Sequence, residues 1–169
     1  ATDPSVPGEV ALSFDDGPHP DFTPRVLDAL AERQLSATFF VVGRAINRQT
    51  YALVQRMVRD GHTLGSHSYS HDVHMTEVAA PARTLEDVRG QHEITRVLVD
   101  LALLATSADA FDALYREVVA ADPRRWLDKP AVRAGNVAVA ARHRALLTRR
   151  GFVGDARPYA ICYARPPGG

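Results

Sequence analysis

Apolar residues along this chain fall first in short blocks and then in long periodic stretches. Glu9–Phe14 (EVALSF) is a short, mostly apolar run that stops at Asp15-Asp16-Gly17-Pro18, as a strand does where it enters a turn. Pro24 suits the first turn of a helix with Thr23 as its N-cap, and Val26, Leu27, Leu30 and Leu35 supply that helix's apolar stripe. Ala37–Val42 (ATFFVV) is apolar at consecutive positions and reads as a strand buried on both faces. A helix from Thr50 to Arg59 follows, with Leu53, Val54, Met57 and Val58 inward and Gly61 as its stop. His62–Gly65 is a third short strand that runs straight into His67. This alternation predicts an α/β fold, with a parallel sheet, right-handed crossovers and chemistry gathered where strands end.

Beyond residue 80 the period becomes that of helices. Thr84–Leu104 is one helical candidate and Ala108–Ala121 another, ended by Asp122-Pro123, so a helical insertion is expected over 84–121. Ala131–Val132 reads as a brief strand, Val137–Arg150 as a helix stopped by Gly151, and Phe152-Val153 and Tyr159–Tyr163 as strands. The tail Arg165-Pro166-Pro167-Gly168-Gly169 fits neither helix nor central strand. At 169 residues the chain is sized for a single domain, 1–169.

Composition narrows the function only a little. Lys plus Arg equals Asp plus Glu at 20 each, so no net field draws the chain to nucleic acid or an anionic membrane. The local arginines Arg124-Arg125 and Arg142, Arg144, Arg149 and Arg150 are spaced for the solvated sides of helices. No stretch approaches the ~20 apolar residues needed to span a bilayer. Cys162 is the single cysteine, which excludes an intrachain disulfide, and its apolar surroundings suit an inert buried thiol. Ala1-Thr2-Asp3-Pro4-Ser5 fits the start of a processed secreted chain, favouring secretion or the cell envelope without fixing the compartment.

Two segments carry the chemistry. Asp15 and Asp16 close the first strand, and His67 and His71 follow the third. Together they offer three ligands for a divalent metal and one spare carboxylate. A structural zinc site closes its shell with four protein ligands, whereas three ligands and an adjacent base are the pattern of metal-assisted hydrolysis. Adjacent residues at a strand end point in different directions, so Asp16 reads as the ligand and Asp15 as the general base. His67 and His71 are one helical turn apart, which lets both imidazoles face one ion, and His74 is also within reach in sequence. Zn2+ suits two imidazoles and a carboxylate, with Co2+, Ni2+, Fe2+ or Mn2+ as alternatives. His19 follows the turn and is a candidate for lining the cleft, whereas His62, His92 and His143 read as surface or packing residues.

Three stretches, LSFDDGPHP at 12–20, ATFFVVG at 37–43 and GHTLGSHSYSH at 61–71, resemble in order and spacing the polysaccharide deacetylase family. That family is also called the NodB-homology family or carbohydrate esterase family 4, and the resemblance covers roughly residues 9–75. It implies a distorted (β/α) barrel that removes acetyl groups from N-acetylated or O-acetylated carbohydrate, such as peptidoglycan or chitin-type N-acetylglucosamine. It further implies Asp15 as catalytic base, Asp16, His67 and His71 as ligands of one divalent ion, and attack of metal-bound water on the acetyl carbonyl. Tyr69 and Tyr159 are then the candidates for stacking on a sugar, and Tyr69 and His19 the expected substrate-binding residues.

The family's next motif is an arginine that orients the base, and two segments compete for it. Arg133-Ala134-Gly135-Asn136 precedes the expected helix and strand, whereas Arg165-Pro166-Pro167-Gly168 lies at the chain end; element order favours Arg133. Trp126 precedes Arg133, the wrong order for the family's pocket tryptophan, and no Leu-x-His supplies a general acid, a loss worth ~10²–10⁴-fold in rate. The expectation is a barrel incomplete or divergent at its C-terminal end. Its open edge would be covered by the helices of 84–121, by a missing C-terminal segment or by a partner in an oligomer. Two alternatives stand beside the deacetylase: a catalytically weak carbohydrate-binding protein that keeps the metal site, and a deacylase of a small acylated metabolite.

Overall fold

The computed structural model describes residues 10–71, 85–119, 139 and 141–151. Strands β1 (Ser13–Asp15), β2 (Thr38–Val41) and β3 (Thr63–Ser66) form a parallel sheet in the order β1-β2-β3. Helices α1 (Phe22–Glu32) and α2 (Tyr51–Arg59) are the connections. The register sets Asp15, Phe40 and Gly65 in one row across the sheet. A parallel α/β sheet is thus established, and among the described residues it has three strands.

One face of this sheet carries the core. Phe39, Val41 and Leu64 join Leu27 and Leu30 of α1 and Val54 and Met57 of α2 in a single buried cluster. Described residues on the opposite face are exposed, contrary to the expectation that 37–42 is buried on both sides. Phe40 is 37% exposed, and Ser13, Asp15 and Thr63 are exposed as well. The physical reason is the strand's two-residue alternation: the helices pack on one side, so Phe39 and Val41 are covered and Phe40 is not. The Phe40 ring lies against Gly65, where an added Cβ would come within 2.4 Å of it.

Two other local expectations shift. Helix α1 begins at Phe22 with Asp21 at the N-cap, so Thr23 sits inside the first turn instead of capping it. The Thr23 hydroxyl accepts the His19 N–H at 2.9 Å, and the Thr23 N–H donates to the His19 carbonyl at 3.1 Å, tying down the preceding loop. Leu35 is 45% exposed because α1 has already ended. Helix α2 closes as anticipated at Gly61, whose φ of +85° permits paired bonds from Gly61 N–H to Val58 O (3.1 Å) and His62 N–H to Met57 O (2.9 Å).

Helix α3 (Leu85–Leu104) and α4 (Ala108–Val118) follow, and residues 141–149 form a further helix, α5. Leu98, Leu101 and Ala102 of α3 are buried, and the Gln55 amide of α2 donates to the carbonyls of Ala102 and Ala105 at the end of α3. The amide thus adds a side-chain donor at the C-terminal end of α3, where carbonyls run out of regular helical partners. Ser107 caps α4 by accepting the Ala110 N–H at 3.1 Å. Leu146 of α5 is buried, as is Val139 ahead of it, and His143 Nε2 lies 3.0 Å from Asp100 of α3. Arg144, Arg149 and Arg150 are exposed, but Arg142 is half-buried and donates to the Val118 carbonyl at 2.8 Å, which corrects its solvated assignment. No described helix is long and apolar enough to cross a membrane. The strands expected at 131–132, 152–153 and 159–163, together with Trp126 and Cys162, lie outside the described residues.

Candidate metal centre

Asp15 ends β1 on the open face, and the chain turns at Asp16, whose φ is 68°. Asp is one of the few residues that tolerate this left-handed conformation. The Val42 N–H donates to the Gly17 carbonyl at 2.8 Å and fixes the turn against the end of β2. Asp15 stays exposed at the strand end, and Asp16 meets the histidines. Asp16 Oδ1 lies 3.3 Å from His67 Nε2 and 2.9 Å from His71 Nε2. One donor atom from each residue falls within 4.8 Å of the others, and the imidazole centroids are 5.1 Å apart.

The histidines do not meet on a helical turn. Residues 67–71 form a bend in which Ser68 (φ 64°) and His71 (φ 50°) are both left-handed, at a cost of roughly 1 kcal/mol each. Such a bend persists only where its surroundings hold it. Buried Ser68 anchors it: its Oγ accepts the His71 N–H at 3.0 Å, and its carbonyl accepts the Gly43 N–H and the Thr95 hydroxyl, both at 2.9 Å. Gln91 Oε1 accepts the N–H groups of Tyr69 and Ser70, each at 2.9 Å. The His67 N–H continues the sheet by donating to Val41 O at 2.8 Å, and Ser66 Oγ lies 2.8 Å from His92 Nδ1.

Gln91 and Thr95 of α3 are the residues that motif reasoning missed. A signal for them exists in the sequence: they stand four apart among Ile94, Leu98 and Ala102, and buried polar groups on such a stripe require partners. Gly43 is the third support, since a Cβ there would lie 2.6 Å from Thr95 Oγ1 and 2.8 Å from the Tyr69 ring.

Asp15, Asp16 and His19 line one groove of about 270 Å³ together with Phe22 and Phe40. Tyr69 is not among the residues of this groove. It packs against Gly43 and the core, where burial pushes its phenol pKa up. Arg133, Arg165, His74 and Tyr159 lie outside the described residues. The donor set fits a divalent cation: two imidazole nitrogens and one carboxylate oxygen converge, and their side chains stay 34–63% exposed, leaving a side of the site open.

The strand ends of this parallel α/β sheet thus gather a three-donor centre beside the carboxylate of Asp15. The sequence profile of the polysaccharide deacetylase family matches residues 3–103, and the chain belongs to that family of carbohydrate deacetylases. A chitooligosaccharide deacetylase of Sinorhizobium fredii is 37% identical over 142 residues, 74% of this chain and 62% of the relative. A peptidoglycan-N-acetylglucosamine deacetylase of Bacillus cereus is 47% identical over 64 residues, 37% of this chain and 22% of that protein. The chain thus spans less than two thirds of the curated relatives it matches. In fold it is similar to a CE4 esterase from Streptococcus mutans, with a TM-score of 0.52 at 21% identity over 85% of this chain and 83% of the other.

Proposed function

We propose that the protein hydrolyses acetyl groups on an N-acetylated or O-acetylated carbohydrate of the chitooligosaccharide or peptidoglycan type. The observation that carries this is the convergence of His67 and His71 on Asp16, which shares the wall of a groove with Asp15. In this reading the three residues hold one divalent cation. Such an ion, when bound, polarises the acetyl carbonyl and makes water more acidic. Asp15 is not needed as a ligand. Its carboxylate lies on the open face beside Asp16 and accepts the proton of the attacking water. His19 lines the same groove and contacts the substrate, and Arg133 orients Asp15; the second role rests on the family motif alone. The relatives are named as deacetylases of chitooligosaccharide and of peptidoglycan N-acetylglucosamine, which supports carbohydrate over a small metabolite. The barrel expected from the family would close over the open face that bears Asp15 and Phe40.

Acetate release from chitooligosaccharides tests this reading. Wild type is expected to release acetate, and Asp15→Asn to retain its metal while losing ~10²–10⁴-fold in rate. Undiminished turnover by Asp15→Asn removes Asp15 as the base.

A further inference from the structure

Phe22 is the first residue of α1 and is 62% exposed, with no role in the core. It is not isolated: its ring centroid lies 4.6 Å from that of His19, at an interplanar angle of 36°. Both line the groove that contains Asp15 and Asp16. The His19 ring is held in place. Its backbone N–H and carbonyl are bonded to Thr23, and its Nδ1 accepts the Asp21 N–H at 3.2 Å. With Nδ1 serving as acceptor, the neutral imidazole carries its hydrogen on Nε2, so the free edge is a donor. An exposed aromatic face next to a fixed donor, on the wall of a groove, is matched to a ligand with an apolar face and hydroxyls at its edge.

We infer that Phe22 and His19 form a shelf for a pyranose ring: the sugar stacks its apolar face on Phe22, and His19 Nε2 donates to one of its hydroxyls. The inference rests on the carbohydrate reading above and names the subsite for the ring that neighbours Asp15. Aromatic side chains suit this because they give a large rigid contact area while fixing few torsions. Preorganisation of His19 by Thr23 and Asp21 means that little freedom is lost on binding.

Calorimetric titration of metal-loaded protein with triacetylchitotriose tests the shelf. Phe22→Ala and His19→Ala are each expected to weaken binding roughly five- to tenfold, the loss of one modest apolar or hydrogen-bonded contact. Phe22→Trp is expected to bind at least as tightly as wild type. It guards against a folding artefact, since it preserves the ring. Leu35→Ala, which removes an exposed apolar residue outside the groove, should bind like wild type. Unchanged affinity in Phe22→Ala, or no chitotriose binding by wild type, overturns the shelf. Acetate assays on the same samples separate the two readings: turnover with unchanged Phe22→Ala affinity sinks the shelf alone. Ring-dependent binding without turnover keeps the shelf and sinks the deacetylase.

Discussion

Gln91→Leu is the sharpest probe of how the histidine bend is held. Gln91 is 8% exposed, and one amide oxygen serves the backbone N–H groups of both Tyr69 and Ser70 at 2.9 Å. Leucine fills similar space but accepts nothing, so two donors lose their partner. A buried donor without a partner costs ~1–3 kcal/mol. The bend can relieve one by tilting towards water, which leaves an expected loss of about 2 kcal/mol, a large share of ordinary domain stability. Tilting also displaces His67 and His71. With tenfold in affinity per ~1.4 kcal/mol, the apparent metal affinity should fall by roughly 10–30-fold. Urea unfolding of metal-free protein gives the first quantity, and zinc titration against a competing chelator gives the second. Gln91→Glu keeps the acceptor oxygen and should restore most of both. If Gln91→Leu retains wild-type zinc affinity, the bend is not held from α3 and the reasoning fails.

Two further outcomes follow from the same packing. Gly43→Ala places a Cβ against Thr95 and Tyr69, and is expected to cost ~1–3 kcal/mol by overpacking, read as a lower urea midpoint; a midpoint equal to wild type contradicts the close approach. His62 is 7% exposed, its Nδ1 accepts the Ala37 N–H at 3.3 Å, and burial lowers its pKa from 6.5. Below pH 6.5 the unfolded chain therefore takes a proton that the folded ring refuses, so stability falls as the pH drops through 6.5 and levels once the pH is below the lower folded pKa. His62→Gln should flatten that part of the slope in unfolding measured on metal-free protein; an unaltered slope assigns the effect elsewhere.

The first half of the fold is legible because its information is local. Apolar blocks separated by Gly61 and by the Asp-Asp-Gly-Pro turn mark strands and helices to within a few residues, and the site ligands sit at the ends of those blocks. What is not local is not legible. Gln91 and Thr95 reach the histidine bend across 22 and 27 residues, and no period announces such a pairing. The spacing of His67 and His71 suits a helix and a bend equally, and the left-handed φ values that decide between them depend on Ser68 and α3. The run ATFFVV signals burial without saying which face receives the helices, so Phe40 was expected inside and lies on the open face. Thr23 has the chemistry of a cap, but the helix starts one residue before it. Phe22, an exposed aromatic, has no periodic signature at all.

The most direct test of the Asp16–His67–His71 centre is the zinc content of the protein after equilibrium dialysis against a zinc-buffered solution, compared with that of Asp16→Ala. The chain has seven histidines, so the comparison, and not the wild-type value alone, is decisive. The expected result is a single tightly held ion per wild-type chain that is lost in Asp16→Ala. Equal zinc in both proteins, or none in wild type, contradicts the site.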